Sequence, residues 1–393
     1  MVLDRRSLLR GFAMTALGLA APARLALAAA PIDNRLAIVI LRGGLDGLHA
    51  APPHGDPRYR ELRPNIAVPA PGEPGGALDL DGYFGLHPAL APLLEMYQAG
   101  QMLILPAATT SYRARSHFDG QNLLENGTMQ PHGATDGWLN RAIVHLNGGD
   151  RRLGLALGHA LPLILRGPAN VPTWAPTSFP EADEDLLSRL AYIYANDPLF
   201  AAALAEARRS KLATAGMNMG AQPRRRGQFK FLAEAAGKLM SASDGPRIAA
   251  FESTGWDTHF RQVDRLGVQL HDLAEGLAAF RARLGPAWDR TAVAVVSEFG
   301  RTAAENGSRG TDHGVGGIAF VLGGAVRGGR IAGTWPGLSA AALYQNRDLA
   351  PANNYWSLFK TLLRGHAGLS EAAIEEAVFP GSRAIRPMRD ILL

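Results

Sequence analysis

The chain has 393 residues, 47% of them hydrophobic, no cysteine and a formal net charge of +5. That length supports one large core or two modest domains, and the lack of cysteine excludes disulfides, thiolate metal sites and cysteine nucleophiles together. Arg5, Arg6, Arg10 and Arg24 against Asp4 put +3 of the charge in the first 28 residues, leaving +2 elsewhere and no basic footprint of the kind nucleic-acid binding needs.

The N-terminus reads as an export signal. Asp4-Arg5-Arg6-Ser7-Leu8-Leu9-Arg10 is a twin-arginine pair, followed by a weakly apolar stretch and by Ala26-Leu27-Ala28, which suits cleavage after a small residue. Pro22 and Arg24 interrupt the apolar run well before the roughly 20 residues a membrane span needs. The expectation is a signal peptide over 1–28, carriage by the twin-arginine translocase, a periplasmic or otherwise exported location, and no stable membrane anchor after cleavage. That route carries folded proteins, often because a cofactor is inserted first.

Apolar β-type runs follow at 36–41, 102–106, 153–157, 248–251, 291–296 and 318–322. Helical patterns lie between them at 87–98, 121–125, 136–147, 184–212, 228–242 and 262–284. The last keeps Val263, Leu266, Leu270, Leu273, Leu277 and Phe280 at helical spacing. Strands alternating with helices of this length predict βαβ units and a mostly parallel sheet. Residues 29–393 are expected to form one α/β domain. Within it, the proline-rich stretch 158–183 is an irregular excursion and the segment to 245 a helical insertion or cap.

Three polar clusters stand at the edges of apolar runs in the second half. They are Gly255-Trp256-Asp257-Thr258-His259, Ser297-Glu298-Phe299-Gly300-Arg301 and Thr311-Asp312-His313-Gly314. An ordinary loop draws on Ser, Asn, Gly and Pro for its turns and has no reason to repeat carboxylate with imidazole. A divalent cation does need those donors. Asp46, Asp257 and Glu298 each lie just past a strand's carboxyl end, where ligands bind in open α/β sheets. No phosphate-cradling glycine motif occurs.

Five stretches together resemble the exported bacterial proteins grouped as domain of unknown function 1501, within the alkaline phosphatase and sulfatase superfamily. Two are Leu41-Arg42-Gly43-Gly44-Leu45-Asp46-Gly47 and Arg115-Ser116-His117-Phe118-Asp119; the others extend the three clusters, in the family's order. The resemblance implies a three-layer αβα sandwich with a mostly parallel sheet and two divalent metals roughly 4 Å apart. It implies metal ligation by Asp46, Asp257, His259, Glu298 and His313, with Asp312 as a replacement ligand. Ser116 takes the place of the attacking hydroxyl, His117 is its rival as ligand or acid/base, and Arg301 would clamp an oxyanion.

Two departures bear on this. Phe299 stands where the superfamily has a ligating histidine, so one metal loses a ligand, or Asp312 replaces it, or only one metal binds. Arg113 stands where the formylglycine segment of sulfatases carries Pro or Ala, so that modification is not expected. Structural alternatives stay open: Asp46 and Ser116 as helix N-caps, Asp257 and His259 as turn residues, and Glu298–Arg301 as an ion pair. His49 and His54, close after Asp46, are further candidates.

The functional expectation is an exported hydrolase or transferase acting on small-molecule or glycan-linked phosphate or sulfate esters. Its cofactor would be zinc or manganese, with calcium or magnesium compatible with the oxygen donors. The alternative is a non-catalytic envelope binding protein with a degenerate metal site.

Overall fold

The computed structural model describes residues 33–147, 153–176, 183–213 and 227–393, so the expected signal peptide lies outside the described residues. In chain order the strands are β1 (Arg35–Arg42), β2 (Leu78–Asp79), β3 (Gly85–Leu86), β4 (Met102–Thr109), β5 (Gly154–Leu157), β6 (Thr173–Trp174), β7 (Ile248–Thr254), β8 (Thr291–Ser297), β9 (Gly317–Leu322), β10 (Arg330–Ile331) and β11 (Asn353–Asn354). β2 and β3 form a small ladder of their own. The other nine make one sheet in the order β10-β4-β9-β8-β1-β7-β5-β6, with β11 beside β4.

Every pairing in that sheet is parallel except those of β9, which runs antiparallel to β4 and β8. The mostly parallel α/β sandwich expected from the sequence is therefore present, with one reversed strand. That reversal has a functional result. β9 begins where its neighbours end, so the polar segment before it lies at the same edge of the sheet as the carboxyl ends of β1, β4, β7 and β8.

Side chains alternate across the sheet and divide the core in two. Leu36, Ile38 and Ile40 of β1 face a layer with Trp138, Leu139, Trp356 and Phe359. Ala37, Val39 and Leu41 face the other, with Leu232, Leu270, Leu277 and Phe280. β1 is buried on both faces, which is why it reads as a continuous apolar run.

The central helix Gln262–Leu284 has the bounds its periodicity predicts. Three others differ for local reasons. The expected helix at 87–98 is a 3-10 turn, Pro88–Leu93, running into Leu94–Gln98, because Pro88 and Pro92 remove backbone donors. The long helix at 184–212 is two, Glu184–Ile193 and Pro198–Ala213, divided where Asp197 accepts from the amides of Leu199 and Phe200 and Pro198 takes the first helical position. The helix near 121 begins earlier, at His117, and stops at Gly127, whose φ of +70° suits a left-handed C-cap.

The excursion after 158 contributes β6 to the sheet edge. Helix Gln228–Ser241 is part of the second core layer, with Leu232, Ala233, Ala236 and Met240 buried.

Candidate metal centre

The loops at the sheet's carboxyl edge bring His117, Asp257 and His313 together, each offering one ligand atom within 4.8 Å of the others. His117 stands first in its helix, Asp257 follows β7, and His313 precedes β9. The Nε2 atoms of His117 and His313 are 2.9 Å apart, and that of His259 is 3.0 Å from His313. Asp257 Oδ1 lies 2.9 Å from His259 Nε2 and 3.3 Å from His313 Nε2, while Oδ2 is 3.6 Å from His117 Nε2. A tetrahedral zinc site with bonds of about 2.0–2.1 Å has ligand–ligand edges of roughly 3.3 Å, so the separations among His117, Asp257 and His313 suit one ion, with His259 beside that group.

What stands behind the imidazoles fixes the hydrogens at Nδ1. Glu298 Oε1 lies 2.7 Å from His117 Nδ1, Asp312 Oδ1 3.2 Å from His259 Nδ1, and the Arg115 carbonyl 3.0 Å from His313 Nδ1. Ionised carboxylates and carbonyls only accept, so each Nδ1 carries a hydrogen, and in the neutral ring Nε2 is then left with a bare lone pair. Bare nitrogens about 3 Å apart repel one another unless a cation lies among them. The donor set therefore fits a metal ion, with outer carboxylates orienting the ligands as in histidine metal sites generally.

Two expected ligands, Glu298 and Asp312, stand in this outer position. Glu298 is fully buried, and burial pushes its carboxyl up. The hydrogen bonds from His117, Gln121 and the Gly43 amide outweigh that and hold it below the usual range. Asp312 is held low first by Asn306, 3.1 Å away, and by His259. Burial likewise raises Asp257, but Arg301 outweighs it and keeps that carboxyl ionised. Burial depresses His313, with further repulsion from His117 and Arg301.

Asp46 is placed elsewhere than the resemblance implied. Its oxygens accept from both terminal nitrogens of Arg63, at 2.8 and 3.1 Å, and from Gln262 at 2.6 Å, and it caps the short helix Gly47–Ala50. Arg63 and Asp46 are both buried, so this is an internal ion pair with no oxygen turned to the histidines. Its role is to anchor the loops. Gln262, bonded to Asp46, also accepts from Thr258 and Thr311, one on each histidine-bearing loop.

Arg301 is not free to clamp a substrate. Its side chain is wholly buried, and it donates to the carbonyls of Gly43, Gly44, Trp256 and Thr311 and to Asp257. The guanidinium fork staples the loops and steadies the Asp257 carboxylate. Glu298 and Arg301 do not pair with each other; each has its own partners. Ser116 is the N-cap residue of its helix, but its hydroxyl makes no capping bond.

Phe299, which cannot ligate, packs its ring 4.8 Å from that of His117 and 5.3 Å from that of His313. It is a wall that fixes two imidazoles. Gly44 makes room for it, having φ +69° and a position where a Cβ would lie 2.8 Å from the Phe299 ring. Arg115 takes φ +64°, a sparsely populated conformation for a side-chain-bearing residue, and so aims its carbonyl at His313.

Sequence reasoning missed Arg63, Gln121, Gln262 and the Arg115 carbonyl. Arg63 carries no local signal at all. Gln121 lies one helical turn from His117, a spacing that would have been a clue had the helix start been known. His49 is buried with no hydrogen-bond partner for either ring nitrogen and lies 5.0 Å, ring to ring, from His87, while His54 pairs with Asp79 near the surface. Neither reaches the centre.

Among solved structures, the chain is similar to the lipoteichoic acid synthase LtaP from Listeria monocytogenes, at 10% identity and a TM-score of 0.33, over 78% of this chain and 67% of that one. It is also similar to the alkaline phosphatase of the Antarctic bacterium TAB5, at 12% identity and 0.32, over 74% and 92%. A third is Ps i-CgsB in complex with a neocarrahexaose, at 9% identity and 0.41, over 90% and 74%. No curated protein matches in sequence. The sequence profile described as protein of unknown function, DUF1501, matches residues 87–378, most of the chain and all three histidines of the centre; the protein belongs to that family.

Proposed function

We propose that this protein is an exported, metal-dependent hydrolase of phosphate or sulfate esters, with His117, Asp257 and His313 holding the ion and His259 beside them. The observation that carries the reading is the convergence of three imidazoles, each held at Nδ1 by an acceptor, with His313 Nε2 about 3 Å from the Nε2 of each of the other two and near Asp257. Two imidazole nitrogens and a carboxylate, with a third imidazole adjacent, favour zinc or manganese over calcium or magnesium.

A divalent ion held there would supply Lewis-acid stabilisation of oxygen anions. The chain's own groups supply the rest. Glu298 and Asp312 fix the imidazole tautomers, and Arg301 keeps Asp257 ionised. Ser116, at a helix N-terminus beside His117 and with an uncommitted hydroxyl, is the candidate nucleophile. Its oxygen would bond to phosphorus or sulfur as the ester oxygen departs with a proton, and water would then release the inorganic anion.

Export rests on the twin arginines of the N-terminus. No helix among the described residues is long and apolar enough to cross a membrane.

A second reading is a metal-holding binding protein of the cell envelope. The observation favouring it is that the Arg301 side chain is wholly buried and committed to loop carbonyls and Asp257, out of reach of a substrate anion.

One experiment separates them. The purified protein is loaded with zinc or manganese and screened against aryl phosphate and sulfate esters, beside Ser116→Ala and His313→Ala. Turnover lost in both variants supports the hydrolase. Turnover unchanged in Ser116→Ala removes Ser116 from the mechanism. Metal bound with no turnover of any ester favours the binding protein.

A further inference from the structure

A two-lobed groove runs along the edge of the metal centre. The larger lobe, about 910 Å³, lies over the carboxyl ends of β1, β5 and β7 and includes Arg42, Glu125, Glu252 and Asp272. The smaller, about 530 Å³, includes Phe260, Arg261 and Arg265, and shares Gly255, Gln269 and Asp272 with the first. Gly255 and Phe260 bracket the segment carrying Asp257 and His259, so the groove borders that loop at both its ends.

We propose that this groove binds a saccharide chain and that the ester handled at the metal centre is carried on one of its sugars. The inference rests on the ester-hydrolase reading.

Size is the first argument. The larger lobe alone is near the top of the roughly 300–1,000 Å³ range of small-molecule sites, and the second lobe extends it. A lone phosphate or sulfate ester would leave most of it unfilled.

Charge is the second. Of the larger lobe's two guanidinium groups, Arg42 is already paired with Glu125 at 2.8 Å and with Glu252, and Arg166 donates to the Leu161 carbonyl. With Asp272 the larger lobe holds three carboxylates against two guanidinium groups, and the smaller adds Arg261 and Arg265 against Asp264, so the groove as a whole offers no net positive charge to draw an anion. Its Gln228, Gln269, Ser253 and Thr254 are donors and acceptors suited to uncharged hydroxyls. The anionic ester would thus be drawn to a cation held at the histidines and the polyhydroxylated remainder to the groove.

The third argument is the ring at the far end. Phe260 is 53% exposed, immediately follows His259, and has the Arg265 guanidinium 4.7 Å from its centroid. An exposed aromatic ring in a polar groove is a platform for an apolar ring face. The groove is also joined to the centre by bonds: Arg42 donates to Gln121 at 3.0 Å, and Gln121 to Glu298 at 2.9 Å, which holds His117.

The test is direct binding, which needs no turnover. Sulfated, phosphorylated and neutral oligosaccharides are arrayed, and the best binder is titrated by calorimetry as a di-, tetra- and hexasaccharide series. The expected result is affinity that rises with chain length and falls at least about tenfold, or 1.4 kcal/mol, in Phe260→Ala and in Gln269→Ala. Tyr192→Ser, far along the chain on an exposed helix, serves as a control with unchanged binding. Failure of every oligosaccharide to bind, or binding indifferent to chain length and to both groove variants, overturns the proposal. Turnover of an aryl ester without saccharide binding sinks the groove alone. Length-dependent saccharide binding without turnover of any ester supports the groove and sinks the hydrolase.

Discussion

Replacing Glu298 with glutamine tests whether the centre is built through its outer carboxylates. Glu298 is fully buried, and its Oε1 is the partner of His117 Nδ1 at 2.7 Å. Glutamine keeps the shape and an acceptor oxygen for His117, Gln121 and the Gly43 amide. Its amide would face Ser297 Oγ, which already donates to the Leu41 carbonyl at 2.6 Å and can accept. The fold therefore survives, and what is lost is the negative charge that makes His117 a better donor to a cation. Removing such a partner lowers metal affinity by roughly ten- to a hundredfold, or about 1.4–2.7 kcal/mol. Burial places Glu298 toward the upper end. Asp312, with a side chain 50% exposed, is screened by water, and Asp312→Asn should cost less than about tenfold. The assay is zinc competition against a chromophoric chelator, with thermal unfolding of the metal-free proteins to confirm equal folding. A Glu298→Gln variant that folds normally and binds zinc like the parent would refute the assignment of His117 as a ligand held through Glu298.

Three further outcomes are expected. Arg63→Met strands the Asp46 carboxylate in the interior and should destabilise the protein by about 3–5 kcal/mol in denaturant titrations, whereas Arg63→Met with Asp46→Leu should recover much of that; an undiminished midpoint in the single variant would show that the pair is not internal in solution. Burial and nearby His87 depress His49 to about 3, below its usual value, so the folded form favours neutral His49: its contribution to stability is full above about pH 6.5 and falls by about 1.4 kcal/mol per pH unit as pH drops toward 3. His87, depressed to about 4 by burial, adds a slope of the same sign, so His49→Phe should lessen the slope in unfolding curves across the window, and an unchanged slope would refute the assignment. Gly44→Ala puts a methyl at φ +69° against the Phe299 ring, so it should loosen both imidazoles and weaken zinc binding by more than Ala substitution of an open turn glycine such as Gly72; equal affinities would remove Phe299 as their support.

Much of the scaffold was legible in the sequence because its signals are local. The apolar runs became β1, β4, β5, β7, β8 and β9, with bounds shifted by one to three residues. The periodicity of 262–284 marked a helix whose buried face includes Leu266, Leu270, Leu273 and Leu277. The clusters around Asp257, Glu298 and His313 marked the right edge of the sheet, since strand ends are where a polar residue meets a ligand rather than a core. The direction of β9 was not legible, because an apolar hexapeptide is the same in either sense.

Which residue turns inward and which stands behind it belonged to the tertiary structure alone. Carboxylate and imidazole are both ligand types, so spacing could not distinguish Glu298, withdrawn onto His117 Nδ1, from Asp257, whose oxygens face the Nε2 atoms. Asp46 has the sequence setting of a ligand, and only the arrival of Arg63 from a separate helix end consumes its oxygens. Arg301 looks like an anion clamp until four loop carbonyls close on it. Local sequence carries the chemistry of a side chain and the type of element it stands on; the partner that spends or frees that chemistry comes from distant chain, and the fold decides it.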